Sequence, residues 1–149
     1  MNPRLYNKAM NANRPYSGLI ARLKLKAIRP TRQRLALGKL LFERDGEACN
    51  RHVTAEQLHS EAAASGVRVS LATVYNTLHQ FTAAGLLREV VVEPGQSMFD
   101  TNVDEHHHFY FESSGVLEDI PGHGVELARL PEPPAGSRVK RVDVIIRLA

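Results

Sequence analysis

At 149 residues, 43% hydrophobic and 23% charged, the chain is long enough for one ordinary domain or two small ones, and its composition is globular, neither disordered nor fibrous. No apolar run approaches the ~18 residues of a membrane span, and the opening MNPRLYNKAM lacks the apolar stretch of a signal peptide, so the sequence is read as cytoplasmic with no membrane partner. The single cysteine, Cys49, cannot form an internal disulfide and excludes a CxxC zinc site, which leaves histidines and carboxylates as the metal donors.

The net charge of +3 conceals an asymmetry. Residues 1–103 carry 14 Lys/Arg against 8 Asp/Glu, whereas residues 104–149 carry 5 against 8. A basic front suits a polyanion partner, although a solvated surface gives the same count.

After a polar start over residues 1–16, expected to be mobile, SGLIARLKLKAI places Leu19, Ile20, Leu23 and Leu25 or Ile28 at near-helical spacing, with Arg22, Lys24 and Lys26 between them. This predicts a short basic helix interrupted by Pro30. Thr31 is the expected N-cap of a second helix, TRQRLALGKLLFE, with Leu35, Leu37, Leu40, Leu41 and Phe42 mainly on one side and Asp45-Gly46 as its end. At Thr54, TAEQ is a capping box with Thr54 facing Gln57; Leu58, Ala62 and Ala63 form the apolar side, and Ser65-Gly66 is the stop.

The fourth helix is predicted in VSLATVYNTLHQFTAAGLL, capped by Ser70, with Leu71, Val74, Leu78 and Phe81 inward and Gly85 as the stop. Its outer face carries Ser70, Ala72, Thr73, Tyr75, Asn76 and His79. Such hydroxyls, an amide and an aromatic ring suit base edges: amides pair with adenine, and Ala, Thr and aromatic groups touch thymine methyls. LLREVVVEPGQSMFD then reads as a hairpin turning at EPGQ. Three helices followed by a hairpin make a winged helix-turn-helix; a helical core with a plain β-ribbon is the alternative, in which Tyr75 is a packed aromatic.

From His106 the pattern is β: HHHFYFE, a turn at Ser113-Ser114-Gly115, VLEDI, a short helix in HGVELARL, the loop PEPPAGS, and a closing strand where Val142, Val144, Ile146 and Leu148 alternate with Asp143, Ile145 and Arg147. About 45 residues of this kind bury too little surface to stand alone, so a homodimer is expected, and a two-fold would match paired recognition helices to a palindromic site. The expected whole is α+β: an N-terminal winged helix-turn-helix DNA-binding domain (1–101) and a small C-terminal α/β domain for dimerisation and ligand sensing (102–149).

In DEHHHFYF, strand alternation puts His106 and His108 on one face and His107 on the other. Imidazoles with carboxylates suit Fe, Mn or Zn; imidazole is also an axial ligand of haem iron, whose macrocycle favours neighbours such as Phe109, Tyr110 and Phe111. The alternative is a polar strand end with hydrogen-bonded or exposed imidazoles. His59 and His79 are read as helix-surface residues, His123 as part of a Gly-flanked turn, and Cys49 as a loop thiol with oxidation sensing left open.

At SLATVYNTLHQFTAAGLL followed by DEHHHFYF the sequence resembles the ferric uptake regulator (Fur) family of bacterial metal-responsive repressors. The likeness runs from RPTRQR at Arg29 through HVTAEQL at His52 and LATVYNTL at Leu71 to the closing strand. SLATVYNTLHQF, FDTN, HHHFYFE, EDIP and LPEPP are most similar to the iron response regulator (Irr) branch, associated with haem and iron control. The resemblance implies a regulator of transcription and not an enzyme, acting in iron or haem homeostasis on A·T-rich palindromic double-stranded DNA. Tyr75 would contact bases, with Asn76 standing where much of the family has an arginine; Arg29 would reach the minor groove, and Arg32, Ser70, Thr73 and Asn76 complete the DNA set. The interdomain metal site would use His52, Asp100 and His108 with Asp119 as a further acid, and its remaining histidine is replaced by Tyr110. A second family site, His-x-Asp, meets Phe109 after His107 and is expected to be broken, and Ser113-Ser114 stand where the Cys-ligated structural zinc would begin, so that zinc is expected to be absent. In the Irr branch His106, His107 and His108 would bind haem; a Cys-Pro haem motif is lacking, since Asn50 follows Cys49. The rivals are a metal-corepressed or peroxide-sensing Fur-like repressor, a small metalloenzyme and a haem carrier.

Overall fold

The computed structural model describes residues 16–44 and 47–149. The predicted mobile start, all but Tyr16, and the predicted helix stop at Asp45-Gly46 lie outside the described residues. The chain separates into two compact units, Met1–Val103 and Asp104–Ala149, dividing two residues beyond the predicted boundary.

The first unit begins with α1 (Ser17–Leu25), which buries Leu19 and Leu23. Leu25 is 86% exposed, so the apolar position left open in the sequence falls to Ile28. The helix stops before Pro30: Ala27 turns left-handed (φ 56) and the Ile28 N–H reaches back to the Leu23 carbonyl at 2.9 Å, closing the last turn. Thr31 caps α2 (Arg32–Phe42), its hydroxyl accepting from the Arg34 N–H. Within α2, a Cβ on Gly38 would lie 3.0 Å from a Leu19 methyl, so the glycine is what lets α1 approach this closely. The chain then extends through β1 (Glu43–Arg44), paired with β2 (Glu47–Ala48).

The capping box of α3 (Ala55–Ala64) forms in both directions, Thr54 hydroxyl to the Gln57 N–H and Gln57 side chain to the Thr54 N–H. Ser70 caps α4 (Leu71–Ala83). Val74, Thr77, Leu78 and Phe81 face inward, but Leu71, expected inside, is 36% exposed. Phe81 stacks on Phe42 with ring centroids 6.1 Å apart, and these side chains with Leu23, Leu37, Leu41, Leu58 and Phe99 make one core.

The predicted hairpin is β4 (Arg88–Glu93) and β5 (Gln96–Asp100). A third strand, β3 (His52–Val53), pairs with β5 on its other side, giving the sheet order β3-β5-β4. Helices followed by this three-stranded wing make a winged helix-turn-helix.

The second unit is a sheet of order β7-β6-β8, in which β6 (His106–Phe111) is central, β7 (Val116–Pro121) antiparallel to it and β8 (Ile145–Leu148) parallel. The helix expected in HGVELARL does not form: a single 3₁₀ turn at Gly122–Gly124 stands in its place. Leu127 and Leu130 remain about half exposed, and a short helix without a buried apolar face is not self-supporting in water. Among the described residues the regular structure of the C-terminal unit is thus a three-stranded sheet with this one 3₁₀ turn, and its closing strand begins at Ile145 instead of near Val142.

Candidate metal centre and nucleic-acid interface

Strand alternation works as expected in β6. His106 and His108 lie on one face, 3% and 1% exposed, with Nε2 atoms 3.0 Å apart. Opposite His108 on β7 stands Asp119, and its Oδ1 lies 3.3 Å from each of these Nε2 atoms. Two ligands at about 2.1 Å from one ion, subtending 90–110°, are themselves about 3.0–3.4 Å apart. The three donor atoms therefore already have the spacing of a shared cation, with nitrogen and carboxylate chemistry suited to Fe, Mn or Zn. The His106 Nδ1–H donates to the Asp104 carbonyl at 2.5 Å, which fixes the tautomer and leaves the Nε2 lone pair pointing at the other donors. His106, assigned from the sequence only to haem, also stands among side chains that could hold a metal ion.

Gly122 shapes this arrangement from behind. A Cβ there would lie 2.9 Å from the Glu105 carbonyl oxygen, so only glycine lets β7 close on the segment that holds His106.

His107 is occupied differently. Its Nδ1 accepts the Val144 N–H at 3.1 Å, while the Val144 carbonyl accepts from the His108 N–H, so this imidazole ties the entry of β8 to β6. All three side chains of the triplet are buried.

In the first unit, His52 Nε2 meets Asp100 Oδ2 at 3.1 Å, and Asp100 Oδ1 accepts the Asn102 N–H at 2.8 Å. Asp100 is fully buried and His52 is partly exposed. Arg51, beside His52, holds this corner: its guanidinium makes two bonds to Glu61 on α3 at 2.6 and 2.8 Å and one to the Leu40 carbonyl on α2. The hydrogen bond to Glu61 raises its pKa above the usual value, with burial opposing.

On α4, Tyr75 is half-buried and Asn76 exposed, with Arg29 and Arg32 exposed ahead of it. The Ser70 hydroxyl accepts the Thr73 N–H and donates to the Thr73 hydroxyl, so both first serve the helix start. The Tyr75 hydroxyl donates to the Glu56 carboxylate at 2.6 Å, which lifts the phenol above its usual pKa and lowers the carboxylate below its own. Neither Glu56 nor Arg51 carried a signal in the sequence. His79 did: it lies one turn after Tyr75, stacks on that ring at 6.2 Å and meets Phe99 edge-on at 5.7 Å, so it is more than a surface residue. His59 bonds the Val69 carbonyl, and His123 sits exposed in the 3₁₀ turn.

The sequence pattern of the Ferric uptake regulator family matches residues 26–142. The chain belongs to that family. It is 31% identical over 101 residues to the peroxide-responsive repressor PerR of Staphylococcus aureus, a match covering 68% of this chain and 65% of PerR. The match thus spans just under two thirds of that relative's length. In fold, this Fur-family chain is similar to the ferric uptake regulator of Vibrio cholerae (TM-score 0.64, 22% identity, 86% of this chain and 96% of that one). It is similar too to that of Pseudomonas aeruginosa solved with manganese (TM-score 0.61, 22% identity, 86% and 94%). No helix among the described residues is long and apolar enough to cross a membrane.

Proposed function

We propose that this Fur-family chain is a dimeric, metal-responsive transcriptional repressor that reads A·T-rich palindromic DNA with α4. The carrying observation is the convergence of His106, His108 and Asp119 on one point, with the His106 tautomer already set by Asp104. Fe, Mn or Zn would be held there. His52 and Asp100 form a separate imidazole–carboxylate pair within the winged-helix unit. The ion would supply a positive charge that neutralises the neighbouring carboxylate. Arg29, Arg32, Tyr75 and Asn76 make the DNA contacts, and Ser70 and Thr73 hold the helix start against the backbone. A hundredfold change in DNA affinity requires about 2.7 kcal/mol of coupling, which one or two ligand bonds made in a single arrangement supply.

The test is fluorescence anisotropy on an A·T-rich palindromic duplex at fixed salt, titrating Mn²⁺ against a chelator, for the wild type and His108→Ala. Affinity that rises with Mn²⁺ and is lost in the variant supports the reading. Affinity indifferent to Mn²⁺ and chelator sinks it.

A second reading, peroxide sensing, is favoured by the likeness to PerR and by imidazoles placed at the donor cluster. Peroxide given with Fe²⁺, but not with Mn²⁺, would then add the mass of one oxygen to a peptide containing His52, His106 or His108. The Irr-like reading, control by haem through His106, His107 and His108, needs an imidazole turned out of β6. Haem that binds with low-spin spectra lost in His106→Ala would favour it over both.

A further inference from the structure

Tyr75 is held at two points. Its hydroxyl donates to Glu56 on α3, and its ring stacks at 22° on His79, which in turn meets the buried Phe99 edge-on at 75°. An exposed tyrosine without such ties samples several rotamers, and ordering it on DNA would cost conformational entropy at each binding event. The acid is an unexpected neighbour for a residue that meets a polyanion. A carboxylate on the DNA-facing side repels phosphate, so a solvated charge there should weaken binding unless it does something else.

We propose that Glu56 is a positioning residue that sets base specificity by fixing the Tyr75 ring and the direction of its hydroxyl. The inference rests on the DNA-reading role of α4 proposed above. Because the phenol O–H is used in donating to Glu56, the oxygen presents only lone pairs outward. It can accept from an adenine or cytosine amino group, and the ring can cover a thymine methyl, but it cannot donate to guanine O6 or N7. Glu56 exchanges non-specific affinity for selectivity, and these two quantities should move in opposite directions when it is removed. The lowered pKa of Glu56 and raised pKa of Tyr75 agree with a bond formed between an ionised acid and a neutral phenol.

The experiment uses the full chain with Mn²⁺ held constant. A random duplex library is bound and sequenced for the wild type, Glu56→Ala, Glu56→Gln, Tyr75→Phe and Glu56→Ala/Tyr75→Phe, and Kd is measured on the selected motif and on a scrambled duplex. Glu56→Ala should lower the specific-to-non-specific ratio about tenfold, the scale of one good base contact, while the scrambled duplex binds as well or better. Glu56→Gln, whose amide oxygen still accepts from the phenol, should keep most of the ratio. In the Tyr75→Phe background Glu56→Ala should add no further loss. Both residues are at the surface, so thermal midpoints within about 2 °C of the wild type confirm that folding is untouched. The proposal is overturned if Glu56→Ala keeps the wild-type ratio, or loses the same amount with Tyr75 already replaced. A wild type that selects no motif at all would remove the DNA reading itself, and the clamp with it.

Discussion

His52 and Asp100 are direct cross-strand partners in the β3–β5 ladder, and their side chains meet at 3.1 Å on one face of the wing. A fully buried carboxylate needs compensation, and Asp100 has it from this imidazole and from the Asn102 N–H. The register of two residues in β3 thus sets an imidazole against a carboxylate. Asp100→Ala should weaken Mn²⁺ or Zn²⁺ binding by more than about 100-fold, beyond the 10–100-fold of outer-sphere changes. Asp100→Asn, which keeps an acceptor for Asn102, separates loss of charge from loss of the loop. Competition titration against a chelator measures both.

Gly122 offers a way to disturb the donors without touching one. Gly122→Ala places a methyl carbon 2.9 Å from the Glu105 carbonyl, and the backbone must shift. His106 then loses alignment with His108 and Asp119. Metal affinity should fall about tenfold or more with the donor set chemically intact. An unchanged affinity would mean that the segment 104–106 yields without moving the imidazole.

Phe81 carries much of the N-terminal core: it is fully buried and stacks on Phe42. Phe81→Ala should destabilise this unit by about 3–5 kcal/mol, visible as a lower urea midpoint. Thr54→Ala, which removes one arm of a complete capping box, should cost about 0.5–2 kcal/mol. The first change should clearly exceed the second.

The Glu56–Tyr75 bond has a defined pH range. Tyr75 is raised in the folded chain, so its contribution is present below the usual tyrosine pKa and is lost as pH rises through the folded value. Glu56 is lowered, so its contribution is present above the usual carboxylate pKa and is lost as pH falls through the folded value. The bond therefore persists between those limits and fails outside them. Carbon-13 NMR of the tyrosine ring carbons should show Tyr75 ionising above an ordinary tyrosine, and at lower pH in Glu56→Gln than in the wild type.

Much of the N-terminal unit was legible because its signals are local. Thr31, Thr54 and Ser70 each announce a helix within four residues, and Val74, Leu78 and Phe81 repeat at helical steps. The wing's third strand was not: two residues, His52 and Val53, have no periodicity, and their partners lie almost fifty residues on. The same holds for the site. That His106 and His108 share a face follows from alternation, but the tautomer set by Asp104 and the glycine behind it are tertiary facts. HGVELARL misled because Leu127 and Leu130 imitate a helical stripe that packs on nothing buried, so propensity alone decided and lost. Glu56 was invisible as a partner of Tyr75, since nothing in a helix of ordinary charge marks which acid will meet a neighbouring helix.

The middle histidine has a consequence for dissecting the triplet. His107 serves as a surrogate main-chain acceptor for Val144, whereas its neighbours point their nitrogens at Asp119. Mutating HHH to AAA as a block would mix an architectural lesion with a chemical one, and a silent protein would be blamed on lost sensing when its last strand had come adrift. Only single replacements, scored separately for strand docking and for ion uptake, divide the strand-holding histidine from the two candidate ligands.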